Sequence, residues 1–282
     1  MKPAAKEVGN YASALRKGFQ LVKDSKLLTG KHILAVQEEL EKNKAGYRRL
    51  SGTDLKNQQT GEVIYTPPQS LKEIEYLMEN LGEYINDDEL SDADVLIKMV
   101  VIYYQFESIH PFYDGNGRTD RILNILYLVL KDFIILPILY LSRYIIQNKT
   151  QYYEFLQGVR DKKDWESWIL FILIGVEGTF IQTIDMIQSI KQVMMDYKHR
   201  IRGSCKFYSQ DWINNLFYHS YTKIEFIEKD LGVGRLTAVK YLEELCRLGF
   251  LKKQKWGRSN DYINLGLYKI LVRREWSRII NI

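Results

Sequence analysis

The stretch that decides the fold is His110-Pro111-Phe112-Tyr113-Asp114-Gly115-Asn116-Gly117-Arg118-Thr119-Asp120-Arg121. Just before it, residues 95–107 carry Leu96, Met99, Val100, Tyr103, Tyr104 and Phe106, apolar on nearly every side of a helix. A helix of that kind is a core element. Just after it, residues 118–131 place Ile122, Ile125, Leu126, Val129 and Leu130 on one broad apolar face. The quoted residues therefore join two buried helices. Gly115, Asn116 and Gly117 tolerate backbone conformations closed to most residues, so their N–H groups can converge into an anion nest. The following helix turns the positive end of its dipole into the same space. Arg118 and Arg121, three apart, share a helix face beside that nest. A nest with two guanidiniums suits a polyphosphate. Asp114, an acid at its rim, suits a Mg²⁺ ion beside phosphate oxygens. His110 is the nearby side chain able to take up a proton near neutral pH. Phe112 is an apolar anchor for the loop. A base, a metal ligand and a phosphate cradle point to transfer of a phosphorus-containing group to a nucleophile.

Each part has a blander reading. A lone histidine is more often structural, Gly-Asn-Gly is usually a turn, and two arginines are often a solvated face. All of them within twelve residues outweighs those readings. No G-x-x-x-x-G-K-[ST] run competes, and Gly232-Val233-Gly234 lacks a third glycine and follows no strand.

Outward from the motif the body reads as helical. Helical spacing of apolar residues predicts helices over 11–23, 30–42, 70–86, 151–160, 165–175 and 179–198. Ser91-Asp92-Ala93-Asp94 resembles a capping box for the helix at 95. One short β-prone run, Glu62-Val63-Ile64-Tyr65-Thr66, follows the turn signal Gln59-Thr60-Gly61 and stops at Pro67-Pro68. The longest apolar runs, residues 133–141 and 168–176, fall well short of the roughly 20 residues of a membrane span and read as buried helix. Trp165 and Trp168 read as core.

At 282 residues the chain is long enough for one large and one small domain. Its 46% apolar and 27% charged residues exclude a disordered chain. Two cysteines, Cys205 and Cys246, cannot make a disulfide framework or a four-cysteine zinc site. With no apolar leader in residues 1–15, the expectation is a soluble, cytoplasmic protein with no membrane contact.

The charge is uneven. Residues 220–282 hold 13 Lys/Arg against 7 Asp/Glu, which exceeds the whole chain's net +5. That basic module reads as helix 223–229, turn, helix 235–248, then strands 250–255 and 261–265 around Trp256-Gly257-Arg258-Ser259-Asn260. This is the layout of a winged helix-turn-helix. Arg235, Lys240, Arg247, Lys252, Lys253, Lys255 and Arg258 would serve DNA. Glu243 and Glu244 on the proposed recognition helix speak for a protein partner instead. A nucleotide-sensing DNA-binding regulator is thus the alternative to an enzyme.

The motif resembles the signature of the Fic family, His-x-Phe-x-(Asp/Glu)-Gly-Asn-Gly-Arg-x-x-Arg, at all eight fixed positions. Gly46-Tyr47-Arg48 and Val63-Ile64-Tyr65-Thr66-Pro67-Pro68 look like that family's flap, and Tyr152-Tyr153 and Asp164-Trp165 like the helices closing its nucleotide pocket. The resemblance implies a mainly α Fic domain over residues 1–200, its core near 27–178, with a small hairpin flap. A winged helix domain would occupy 205–282. It implies AMP transfer from ATP to a protein Ser, Thr or Tyr hydroxyl, including self-modification. His110 would be the base and Asp114 the Mg²⁺ ligand. Gly115, Asn116, Gly117, Arg118 and Arg121 would hold phosphates, with Val63, Ile64, Tyr65 and Tyr152 lining the nucleotide site. Relatives that transfer other groups usually alter the Gly-Asn-Gly core, intact here. No (Ser/Thr)-x-x-x-Glu-(Gly/Asn) inhibitory run is present, so Arg121 is expected to be free unless an acid such as Glu7 fills that role. Oligomeric state is left open, a dimer included.

Overall fold

A computed structural model describes residues 3–56, 60–256 and 259–276. Two compact units emerge, residues 1–180 and 181–282. The first contains α1 (Pro3–Ser25), α2 (Gly30–Glu41), β1 (Leu55–Lys56), β2 (Val63–Tyr65), α3 (Leu71–Asn86), α4 (Val95–Ile109), α5 (Asn116–Leu130), α6 (Ser142–Gln147), α7 (Lys149–Lys162) and the start of α8 (Trp165–Ser204). With no polar face, α4 has to be enclosed, and Met99, Val100, Ile102, Tyr103 and Phe106 are fully buried. It packs on α5, which buries Ile122, Leu123, Leu126 and Leu128. On its other side α5 meets α1, where Gly18 allows a close crossing. A Cβ at residue 18 would lie 2.5 Å from Leu126 Cδ1 and 2.9 Å from Val36 Cγ2. Trp168, on α8, fills the core beside Tyr103, as expected.

Helix starts follow local chemistry. Thr29 and Ser70 cap α2 and α3 through their hydroxyls. For α4 the cap is Asp94, whose Oδ1 accepts from Leu96 N at 2.8 Å. Ser91 accepts from Ala93 N outside the helix, so the expected capping box is replaced by a one-residue cap. The apolar run 133–141 is not the buried helix its composition predicts. Pro137 lies within it, and Phe133, Ile135, Leu136, Ile138 and Tyr140 are exposed while Leu139 and Leu141 are buried. The two helices expected over 165–198 are one helix, α8. Among the described residues α8 alone is long and apolar enough, by length and composition, to cross a membrane. Its Trp168, Phe171, Ile172 and Val176 are buried, whereas Leu170, Ile174, Ile181 and Ile184 are exposed.

The predicted strand, β2, pairs antiparallel with β1, a partner the sequence did not announce. Leu55 faces Tyr65 and Lys56 faces Val63, with an irregularity between. Gln59 of the turn signal lies outside the described residues.

The second unit, beyond the later turns of α8, is α9 (Gln210–Tyr218), β3 (Tyr221–Thr222), α10 (Ile224–Leu231), α11 (Arg235–Arg247), β4 (Leu251–Trp256), β5 (Ser259–Asn264) and α12 (Leu265–Trp276). The sheet order is β3-β5-β4, all antiparallel. Trp212, Ile227, Ala238, Leu242, Leu245, Phe250 and Tyr262 form its core. Helix, turn, helix, hairpin occur in the expected order, with Gly249 (φ 78°) ending α11. The predicted hairpin tip, Gly257-Arg258, lies outside the described residues. Several basic side chains of this module are paired internally: Arg235 with Glu228, Arg247 with Glu244, and Lys253 with Glu243.

Candidate active site

The end of α4 and the start of α5 make the site. His110 closes α4 in the left-handed conformation (φ 48°, ψ 58°), its N–H donating to Phe106 O at 2.9 Å. A non-glycine residue held there is strained and persists only where its surroundings over-determine it. Two devices do so. Phe112 is fully buried against Tyr47 and Phe106. Asn116 grips the main chain of Phe112 twice, accepting from its N at 2.9 Å and donating to its O at 2.7 Å. The Asn116 side chain is therefore spent on the loop, and only its backbone remains for a ligand.

Gly115 (φ 81°) leads into α5, which has no side-chain cap. The first intrahelical bond is Thr119 N to Gly115 O at 2.8 Å. The N–H groups of Asn116, Gly117 and Arg118 therefore have no intrahelical acceptor. An uncapped helix start between two glycines is an anion site. Arg118 and Arg121 flank it on opposite terms. Arg118 is part-exposed, its Nη1 2.6 Å from Glu7 Oε1 and its Nη2 3.0 Å from Glu41 Oε1 and 3.6 Å from Asp114 Oδ1. Glu41 lies so near Gly115 that any side chain at 115 would collide with it. Burial pushes the Glu41 carboxyl up, against the pull of Arg118. Arg121 is half-buried and, among the described residues, has no carboxylate within ion-pair distance. Its Nη1 and Glu107 Oε1 each come within 3.3 Å of where a Cβ of Gly117 would be. Behind it, burial and the neighbouring Glu107 hold Asp120 well above the carboxylate range.

The His110 ring lies 3.9 Å, by its Nδ1, from Glu107 Oε2. Burial, then Arg48 and Arg160, lower its pKa to about 4, so the ring is neutral at physiological pH. Asp114 stands at the rim with a largely exposed carboxylate, its Oδ1 accepting from Gly115 N at 2.7 Å. Among the described residues no three His, Cys, Asp or Glu side chains cluster as a metal site. One exposed carboxylate fits a Mg²⁺ ion that takes its other ligands from phosphate and water.

Of the flap residues, Val63 and Ile64 are exposed, and Tyr65 is tied to the last turn of α4 by a 2.9 Å bond from its hydroxyl to Ser108 O. Tyr152 is buried in a ring cluster with Tyr103, Trp168 and Phe171, so it abuts the site from the core rather than from an open wall.

The fold that carries this site is similar to that of solved Fic proteins. A Fic family protein from Desulfovibrio desulfuricans G20 superposes with a TM-score of 0.54 over 93% of this chain and 75% of that one, at 18% identity. Fic-1 (aa 134–508) from C. elegans gives 0.50 over 64% and 51%, at 20% identity. Residues 27–128 match the Fic/DOC family, and residues 193–267 match the C-terminal domain of SoFic-like protein adenylyltransferases. Protein adenylyltransferase fic-1 of Caenorhabditis elegans is 32% identical over 87 residues, which is 29% of this chain and 16% of that protein. Protein adenylyltransferase Fic of Drosophila grimshawi is 26% identical over 132 residues, 46% and 25%. The chain thus spans a quarter or less of the length of these curated relatives.

Sequence reasoning missed Glu41, Glu107, Arg160 and the role of Arg48. Glu107 carried a usable signal, since it stands three residues before His110. The others reach the site from distant segments and carry none.

Proposed function

We propose that this chain transfers AMP from ATP to a Ser, Thr or Tyr hydroxyl of a protein and releases pyrophosphate. The observation that carries the reading is a neutral, half-buried histidine beside an uncapped helix start flanked by two arginines. The match to adenylyltransferase-type Fic sequences supports it. The N–H groups at 116–118 bind phosphate oxygens, and Arg118 and Arg121 hold the outer phosphates. His110 takes the proton of the acceptor hydroxyl as its oxygen attacks the α-phosphorus. The bond to the pyrophosphate oxygen breaks, and the proton stays on the ring until solvent removes it. A Mg²⁺ ion held by Asp114 would neutralise phosphate charge. The flap strand, with Val63 and Ile64 exposed, is placed to receive the target's main chain. The intact Gly-Asn-Gly favours AMP over another phosphate-containing group.

The variant His110→Ala tests this directly. It should lose transfer by about 10²-fold or more and keep Mg·ATP affinity within about twofold, because the ring touches the acceptor and not the cradle. Calorimetry and labelled-ATP assays read the two sides. Near-normal turnover removes His110 from the chemistry.

A further inference from the structure

Arg48 is 1% exposed, yet among the described residues no carboxylate lies within ion-pair distance of it. Burying a lone cation is costly, so other groups must compensate it. Its partners are main-chain carbonyls. Nε donates to His110 O at 2.8 Å, and Nη2 donates to Ile109 O at 3.4 Å and to Pro68 O. Its own N–H donates to Pro111 O at 2.9 Å. Two of the three carbonyls that the guanidinium meets close α4, the negative end of that helix. The third lies just past the flap strand. Arg48 therefore bridges the left-handed turn at His110 to the segment leaving the flap.

Arg160 of α7 approaches from the opposite flank. Its guanidinium stacks 3.7 Å from the Tyr65 ring centroid, and its Nη2 donates to Ser108 Oγ at 3.4 Å. Tyr65 in turn bonds Ser108 O. The flap is thus fastened twice to the three residues that carry His110, each time through an arginine.

We propose that Arg48 is a positioning residue for the base: its buried fork fixes the His110 turn against the flap. Burial is the larger cause of the ring's low pKa, and the charges of Arg48 and Arg160 add to it. The proposal rests on His110 being the base of AMP transfer. The charged groups around the ring are Glu107 from α4, Arg48 from the loop after α2 and Arg160 from α7. Two cations oppose the imidazolium, and a hydrogen bond with the Glu107 main chain favours it. Lysine at 48 would keep the charge but could not bond three divergent carbonyls in one plane.

The test is an NMR titration of His110 in the full chain, assigned by His110→Gln among the four histidines, with transfer kinetics alongside. In wild type the ring should stay neutral down to about pH 4. Arg48→Met should raise that midpoint toward the free value of about 6.5, moving the acid limb of the rate profile with it. Arg48→Lys should leave the midpoint low yet lower kcat by about tenfold or more, with KM for ATP little changed. A purely structural role would lower stability in both variants without separating them in this way. A folded Arg48→Met with an unmoved midpoint overturns the proposal. Should that variant not fold, Arg160→Gln must raise the midpoint, and a wild-type midpoint near 6.5 is itself contradictory. If wild type transfers no AMP, the reading of function fails, while the titration still decides on Arg48.

Discussion

Arg118 is the most contested side chain of the site, drawn on by Glu7, Glu41 and Asp114. The sequence raised Glu7 as an acid able to restrain Arg121. The structure brings Glu7 to Arg118 instead, and Arg121 is left without an ion pair among the described residues. Glu41 is the partner that matters, because it is mostly buried and lies against Gly115, where a phosphate oxygen would bind. A bound phosphate must displace it. Glu41→Gln should therefore tighten Mg·ATP several-fold, in keeping with about 1 kcal/mol for a partly screened pair. Glu7→Gly should change it less, since that glutamate is exposed. Calorimetry showing no gain for Glu41→Gln would mean the cradle lies elsewhere. The residues of 110–121 were legible because their chemistry is local to twelve positions. Glu41 and Arg48 were not. Arg48 meets His110 across 62 residues of chain, so the sequence placed it in the flap segment but not against the histidine.

At the scale of elements, periodicity served where one face of a helix is buried, as in α2, α3 and α11. It failed where composition and context diverge. Residues 133–141 are apolar enough for a core helix, but Pro137 and exposure on several sides make them an irregular segment. Short elements such as β1, β3 and α6 have too few residues to show a period. The joint between α1 and α5 rests on Gly18, which reads in the sequence as one unremarkable helical position. Gly18→Ala would ordinarily favour the helix. Here the added methyl meets Leu126 and Val36, and overpacking costs about 1–3 kcal/mol. Urea unfolding should show a lower midpoint. A higher midpoint would mean that α1 can shift away from α5, and the base of the cradle with it.

At the scale of the whole molecule, a near-neutral helical body carries a basic C-terminal unit. That asymmetry was plain from the charge count alone. How much of it is available to a partner was not, because pairings such as Lys253 with Glu243 depend on the fold of the hairpin against α11. The proposed chemistry rests on residues 1–180, and what defines it is which phosphate moves. The most direct measurement incubates the full chain with Mg²⁺, a cell lysate and ATP labelled on either the α- or the γ-phosphate. Protein-bound label is then followed beside the released product. The account predicts α-label on protein, pyrophosphate in solution, and loss of both in His110→Ala. Label arriving on protein only from the γ-phosphate, with ADP released, would contradict it.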